Sequence, residues 1–380
     1  MSDRRLRVGI VGVGNNAATH HVPAYRLLPQ VELAACCATT SVRAQAGAER
    51  LGLPKAYTDV STMIETEGLS AVSICSTNDA HYQNTLDALH AGAHVLCEKP
   101  MALDAHLAHA MCEAAARSGR RTMVAYTYRF VPAAKMAQEL IASGDLGDLF
   151  ALQATYVSAY LADLATPVDK AWKLQGGHGG GVLGDLGSHL IYLTRWWCGE
   201  VARSCGFQQT IVPKRRLPNG DDLAVDVDDA CGFWLEFASG LTGSFFVTKY
   251  ATGRANHQRI EVYGGKGALA YQVERPGELE VCRGPRAVAD REWTTLKVPE
   301  RFGNPGMLGR LEAYRFEQVR TFVEGIRNER PLEPSFADGL ACQQVLDAVA
   351  QSATAVAWTK VESSSDGTHN AVQNEKRRRS

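Results

Sequence analysis

Leu6-Arg7-Val8-Gly9-Ile10-Val11-Gly12-Val13-Gly14-Asn15-Asn16-Ala17 carries an apolar, β-type run into a glycine-rich break. The break reads G-x-G-x-x-A, directly after a strand and opening into a helical segment. Gly12 permits the tight turn, Gly14 lets the backbone approach a pyrophosphate, and Ala17 keeps the helix close to the sheet. The N–H groups of the new helix end are suited to phosphate oxygens, so Gly12, Gly14, Asn15, Asn16 and Ala17 are candidate cofactor-binding residues. Alone, such a motif is weak; its surroundings decide it.

Downstream, apolar β runs alternate with helical segments. Val31–Ala38 reads as a strand, and Val42–Leu51 as a helix with Ser41 as N-cap and Gly52 closing it. Ala71–Cys75 is the next strand, followed by the helix Ala80–Ala91 with Asp79 as N-cap and Gly92 at its stop. The strand His94–Cys97, the helix Ala105–Ser118 and the strand Thr122–Tyr126 complete the series. Repeated β–α–β units with short connections predict a parallel, doubly wound Rossmann sheet over residues 1–127. Ligands of such sheets lie beyond the C-terminal strand ends. That rule picks out Ser76-Thr77-Asn78 and Glu98-Lys99-Pro100, where the nicotinamide of a dinucleotide would lie.

The end of the second strand bears on the cofactor. An NAD site usually places Asp or Glu there to accept from the ribose 2′-hydroxyl. Here the stretch is Cys37-Ala38-Thr39-Thr40-Ser41-Val42-Arg43, without a carboxylate. Thr39, Thr40 and Ser41 offer hydroxyl donors and Arg43 a cation, so NADP(H) is expected over NAD(H), with NAD(H) still open. The plainer alternative is that Arg43 faces water from the outer side of its helix.

Past Tyr126 the pattern changes. Pro132–Ser143 reads as a helix and Phe150–Ser158 as a strand, and a loop over 159–180 contains Trp172. From Val201 to Cys282, β runs follow one another (230–237, 241–250, 258–263, 268–273 and 278–282), and helices over 310–325 and 336–358 close the chain. Consecutive strands without intervening helices predict a second α+β domain over 128–361, built on a large, mostly antiparallel open sheet. Residues 362–380, poor in apolar groups, are expected to be a disordered tail.

Composition narrows the function. The 380 residues are 45% hydrophobic and 21% charged, with net charge −1. No single-sign field is available to gather nucleic acid or an acidic membrane surface. The ten cysteines form no C-x-x-C pair, and the N-terminus passes into a strand without an apolar leader. A reducing, cytoplasmic setting is the expectation.

Gly179-Gly180-Gly181 leads into Val182-Leu183-Gly184-Asp185-Leu186-Gly187-Ser188-His189. On a regular helix Asp185 and His189 share one face, four residues apart, so the acid could orient the imidazole. A nucleotide fold, Glu98-Lys99-Pro100, this Asp185-x-x-x-His189 segment and an antiparallel second domain together closely resemble the glucose–fructose oxidoreductase / inositol dehydrogenase / MocA (Gfo/Idh/MocA) family. Thr77-Asn78 with His81, Tyr128-Arg129 and Ser143-Gly144-Asp145-Leu146-Gly147 add weaker markers. The likeness runs from about Arg5 to Lys360. It implies an NAD(P)-linked oxidoreductase of sugars, glycosides or cyclitols that forms homodimers or homotetramers through the exposed face of its sheet. It also implies Lys99, Asp185 and His189 at the catalytic positions.

Oxidising a secondary alcohol needs a hydride acceptor and a base. His189 is the candidate base, Asp185 its orienting partner, and Lys99 the donor to the reacting oxygen. Tyr156 and Trp172 offer flat walls for a sugar ring, and Arg129 is a further candidate for substrate positioning. Two other functions remain open: a non-catalytic NAD(P)-binding regulator, or an NAD-dependent glycosidase of the same fold. A metal site is not expected, because no third ligand stands near Asp185 and His189 with suitable spacing.

Overall fold

A computed structural model describes residues 5–284 and 287–362, so residues 363–380 of the expected tail lie outside the described residues. The first strands are β1 (Leu6–Val11), β2 (Val31–Cys37), β3 (Ala56–Tyr57), β4 (Ala71–Ile74), β5 (His94–Cys97) and β6 (Thr122–Val124). They form one sheet in the order β3-β2-β1-β4-β5-β6, with every pair parallel. The order reverses between β2-β1 and β4, which opens a crevice above Gly12. Helices α1 (Val22–Arg26), α2 (Ser41–Leu51), α3 (Val60–Glu67), α4 (His81–His90) and α5 (Ala105–Ser118) connect the strands.

Local details correct the sequence reading. Thr40, not Ser41, is the N-cap of α2: it is extended (φ −139°) and its side chain accepts from the Arg43 N–H, while Ser41 is already helical. Asp79 does not cap α4 but sits within a 3₁₀ turn, Asn78–Ala80, that precedes it. The segment after Gly14 opens with a π-type turn, Ala17–His21, before α1. β3 was not anticipated, because a two-residue strand leaves no periodic signal, and the eight-residue α3 was passed over although Asp59 caps it and Val60, Met63 and Ile64 are buried at helical spacing.

The second half contributes β7 (Leu149–Val157), β8 (Val201–Gln209), a small hairpin of β9 (Lys214–Arg216) and β10 (Asp222–Ala224), and β11 (Ala230–Phe237). β12 (Thr242–Thr248), β13 (His257–Gly264), β14 (Gly267–Gln272), β15 (Glu278–Arg283) and β16 (Thr294–Lys297) follow. β17 (Met307–Leu308) pairs with β18 (Leu311–Glu312), and β19 (Thr359–Lys360) ends the described chain. Among the described residues the large sheet has nine strands in the order β16-β15-β14-β13-β7-β12-β11-β8-β19. It is antiparallel except for β7–β12. β7 leaves the sheet through a long excursion before β8, and a crossover of that length allows a parallel neighbour.

Helices α6 (Pro132–Ala142), α7 (Ser188–Cys198), the short α8 (Ala287–Asp290), α9 (Ala313–Arg327) and α10 (Phe336–Ala355) complete the set. A capping box, Ser335 with Asp338, starts α10. This last helix packs against both α5 and β8. The Ala105 N–H donates to Asp347 Oδ2 at 2.7 Å, and the Val124 N–H donates to the Pro334 carbonyl at 2.9 Å. The end of the chain therefore stitches the second half onto the first.

Candidate active site

The crevice at the strand ends is a cleft of about 720 Å³. Gly12 has φ +87°, and a Cβ there would lie 2.5 Å from the Ser76 nitrogen, so only glycine fits. At Gly14 no atom lies within 4 Å of where a Cβ would point, which leaves the backbone open to a ligand. Asn15, Asn16, Thr39, Arg43, Ser76, Thr77 and Asn78 line the same cleft. Ala17 is buried beneath it, and the Thr40 hydroxyl is committed to capping α2. Arg50, which the sequence reading missed, donates to the carbonyls of Val13 and Gly14 and so holds the glycine turn from outside. The shape, the glycine cradle and the polar strand ends fit a dinucleotide.

Two expected cofactor contacts brace the cleft. His81 is buried, with Nδ1 2.9 Å from the Pro100 carbonyl and Nε2 3.3 Å from that of Ser76, and so ties the two strand-end loops together. Glu98 accepts from the Lys99 N–H at 3.2 Å and pairs with His21 Nε2 at 2.9 Å. Burial alone would raise the Glu98 pKa, but His21 and Lys99 bring it down to about 2.

A smaller chamber of about 200 Å³ adjoins the cleft and shares Asn16, Glu98, Lys99, Lys173 and Asp185 with it. Lys99 Nζ donates to the Asp185 carbonyl at 2.7 Å and to Oδ1 at 2.8 Å. Lys173 and Lys249 each place Nζ 2.7 Å from Oδ2. Burial opposes the charge on Asp185, yet Lys173, Lys249 and Lys99 hold its carboxyl well below the usual range.

His189 is buried, with no hydrogen bond to Asp185, and its Nδ1 has no partner among the described residues. The expectation that Asp185 orients this ring is therefore corrected. Leu183–Gly187 is a π-type turn, with i→i+5 rather than i→i+4 pairing, so residues four apart no longer stack. The ring is held instead by Tyr128 and Tyr156, whose centroids lie 4.6 and 6.0 Å away. Burial, followed by the charge of Lys99, lowers its pKa well below the ordinary histidine value.

Residues 6–126 match the profile described as "Oxidoreductase family, NAD-binding Rossmann fold", and residues 134–270 match the GFO/IDH/MocA C-terminal domain. The D-glucoside 3-dehydrogenase of Escherichia coli is 33% identical over 246 residues, covering 63% of this chain and 69% of that protein. The chain belongs to the Gfo/Idh/MocA oxidoreductase family. Levoglucosan dehydrogenase of Pseudarthrobacter phenanthrenivorans is 29% identical over 94% of this chain and 98% of its own length. A solved levoglucosan dehydrogenase in complex with NADH and levoglucosan superposes with a TM-score of 0.87 at 28% identity, covering 95% of this chain and all of that one.

In this Gfo/Idh/MocA chain the remaining expected residues divide. Tyr156 lines the chamber, and its hydroxyl lies 2.8 Å from that of Tyr128 and donates to Asn256 Oδ1 at 2.6 Å. Trp172 lines the cleft rather than the chamber, with Lys173 Nζ 5.4 Å from its ring centroid. Arg129 lines neither space. Its guanidinium donates to the Tyr192 hydroxyl at 2.6 Å, pairs with Glu333 and lies over Trp196, so its expected substrate role gives way to a packing one. Lys173, Lys249 and Arg315 were missed, and Tyr128 was noted only as half of the Tyr128-Arg129 marker. Lys173 follows Trp172 directly and Tyr128 precedes Arg129, which were available signals; Lys249 and Arg315 reach the site from distant segments. Among the described residues no group of three or more His, Cys, Asp or Glu is placed to hold a metal, and no helix is long and apolar enough to cross a membrane.

Proposed function

We propose that this chain is an NAD(P)-dependent dehydrogenase or reductase acting on a secondary hydroxyl or ketone of a sugar, glycoside or cyclitol. The observation that carries the reading is the placement of Lys99 and His189 on one small chamber that shares a wall with a dinucleotide-sized cleft. A nicotinamide dinucleotide bound in the cleft supplies the hydride acceptor or donor. In oxidation the carbinol C–H pair leaves as hydride, the O–H proton passes to His189, and a ketone remains. Burial keeps the His189 ring neutral near pH 7, the form able to take that proton. Two of the three Lys99 ammonium donors are fixed on Asp185, which leaves the third for the reacting oxygen as charge develops on it. Asp185 acts through Lys99, and Tyr156 offers an apolar wall beside the ring. The levoglucosan and D-glucoside dehydrogenases among the relatives support the substrate class.

NADP(H) is the favoured cofactor in this reading. Thr39 and Arg43 line the cleft, and the segment that leaves β2 carries no acid. Asp59, at the end of β3, also lines it, but its Oδ1 is engaged by the Thr62 N–H at 2.7 Å. A homo-oligomer is part of the same proposal. The register places Phe207, Trp234 and Phe246 together on one face of the large sheet, and all three are exposed.

The test is a screen of pyranosides and inositols with NAD and NADP, read as absorbance of the reduced cofactor. Turnover with at least one of them is expected, with higher kcat/KM for NADP. His189→Ala should lower kcat by roughly 10²–10⁴-fold. Near-normal turnover in that variant would remove His189 from the reaction.

A further inference from the structure

Among the described chamber residues, the mechanism above leaves the one arginine without a part. Arg315, in the first turn of α9, lines the wall that also carries Tyr128, Tyr156 and His189. Its side chain is 18% exposed, and its Nε donates to Glu312 Oε2 at 2.9 Å. A guanidinium anchored through Nε still presents an edge of coplanar N–H donors, the arrangement that grips a carboxylate with two parallel hydrogen bonds. The charge is felt across the chamber: after burial, it is the next largest influence holding His20 down to about 4, and it also acts on His189.

Glu312 meets that charge at Nε, and the carboxylates on the chamber wall are committed elsewhere, so the four cations Arg315, Lys99, Lys173 and Lys249 face three carboxylates, Glu312, Glu98 and Asp185. Among the described lining residues the wall carboxylates are Glu98 and Asp185. Asp185 already holds the three ammonium groups of Lys99, Lys173 and Lys249. Glu98 is engaged by His21 and by the Lys99 N–H. A neutral polyol would leave a buried excess of cations, whereas an oxyanion on the substrate would offset it. Buried His189 Nδ1, which has no partner among the described residues, adds an unsatisfied polar atom on the same wall.

We infer that the sugar handled here is an acidic one, with its carboxylate seated on Arg315 and its reacting hydroxyl at Lys99 and His189. The inference rests on the dehydrogenase reading and deepens it. A chamber of about 200 Å³ suits a single ring, and one guanidinium edge matches a planar carboxylate better than a bulkier phosphate dianion.

The test compares kcat/KM for a hexuronate, the matching hexose and the hexose 6-phosphate, in the wild type, Arg315→Gln and Arg315→Lys. The uronate should lead in the wild type. Arg315→Gln should cut the uronate-to-hexose ratio by roughly 10–100-fold, as expected for lost hydrogen bonds to a charged group, chiefly through KM. Arg315→Lys should recover part of it. Preference for the hexose or the phosphate, or a ratio that Arg315→Gln leaves untouched, overturns the inference. Calorimetry of uronate binding to cofactor-loaded protein separates the two readings. Binding lost in Arg315→Gln without turnover in any protein would keep the carboxylate site and remove the dehydrogenase, while turnover with uronate affinity equal in both proteins would do the reverse.

Discussion

Asp185 and His189 look like a pair on the page and are not one in the molecule. The carboxylate is the common anchor of three ammonium groups, and the imidazole lies among tyrosine rings. Asp185→Asn should therefore do more than slow the reaction. It leaves Lys249, whose side chain is 4% exposed, without its charge partner. Removing one member of a buried ion pair costs about 3–5 kcal/mol, so urea unfolding should show a loss of that size alongside reduced kcat. A variant as stable as the wild type would mean that Lys249 finds another acceptor. Lys99 and His189 were legible because each lies in a short motif at a predictable strand or helix end. Lys249 and Arg315 were not: one follows β12 and the other lies in the first turn of a late helix, and only the tertiary fold brings them to Asp185 and to the chamber.

Elements were read well where the period was long. The β–α alternation of the first half and the run of strands in the second both follow from apolar spacing, whereas the two-residue β3 and the π-type turns break the rule the eye applies. The ends of α2, α4, α5 and α6 were read to within a residue, whereas the last two helices, read as 310–325 and 336–358, run over Ala313–Arg327 and Phe336–Ala355. Thr40 and Ser41 are both hydroxyl residues with cap propensity, and sequence cannot choose between neighbours; the extended backbone at Thr40 makes the choice. The difference is measurable. Thr40→Ala should cost about 0.5–2 kcal/mol in thermal or denaturant unfolding, and Ser41→Ala clearly less. Equal losses would show that the cap is shared.

Across the whole molecule, acid should act in two successive windows. Burial lowers His20 and His94 to about 4 and also lowers His81 and His189. Their unfolded counterparts take up protons below about 6.5. Their contribution is thus complete above that value and is lost as pH falls towards 4. Glu98, held at about 2, contributes above its unfolded value of about 4.3 and is lost as pH falls towards 2. Thermal melts should be level near pH 7–8 and then fall below about 6.5, more steeply below about 4.5; a melting temperature unchanged down to pH 4 would contradict the buried histidines.

The apparent two-part plan also hides a dependence. Gly339 on α10 lies so close to Met101 and Val124 that an added Cβ would run into both, and Cys112 Sγ lies 3.2 Å from the Phe336 carbonyl as donor. A chain cut after residue 127 would lose that cover and the Pro334 acceptor for the Val124 N–H. The nucleotide half is therefore not a portable cassette. A chimera that joins it to another relative's second half must carry this chain's final helix with it, so recombination between relatives would succeed only where the donor supplies both ends of the sequence.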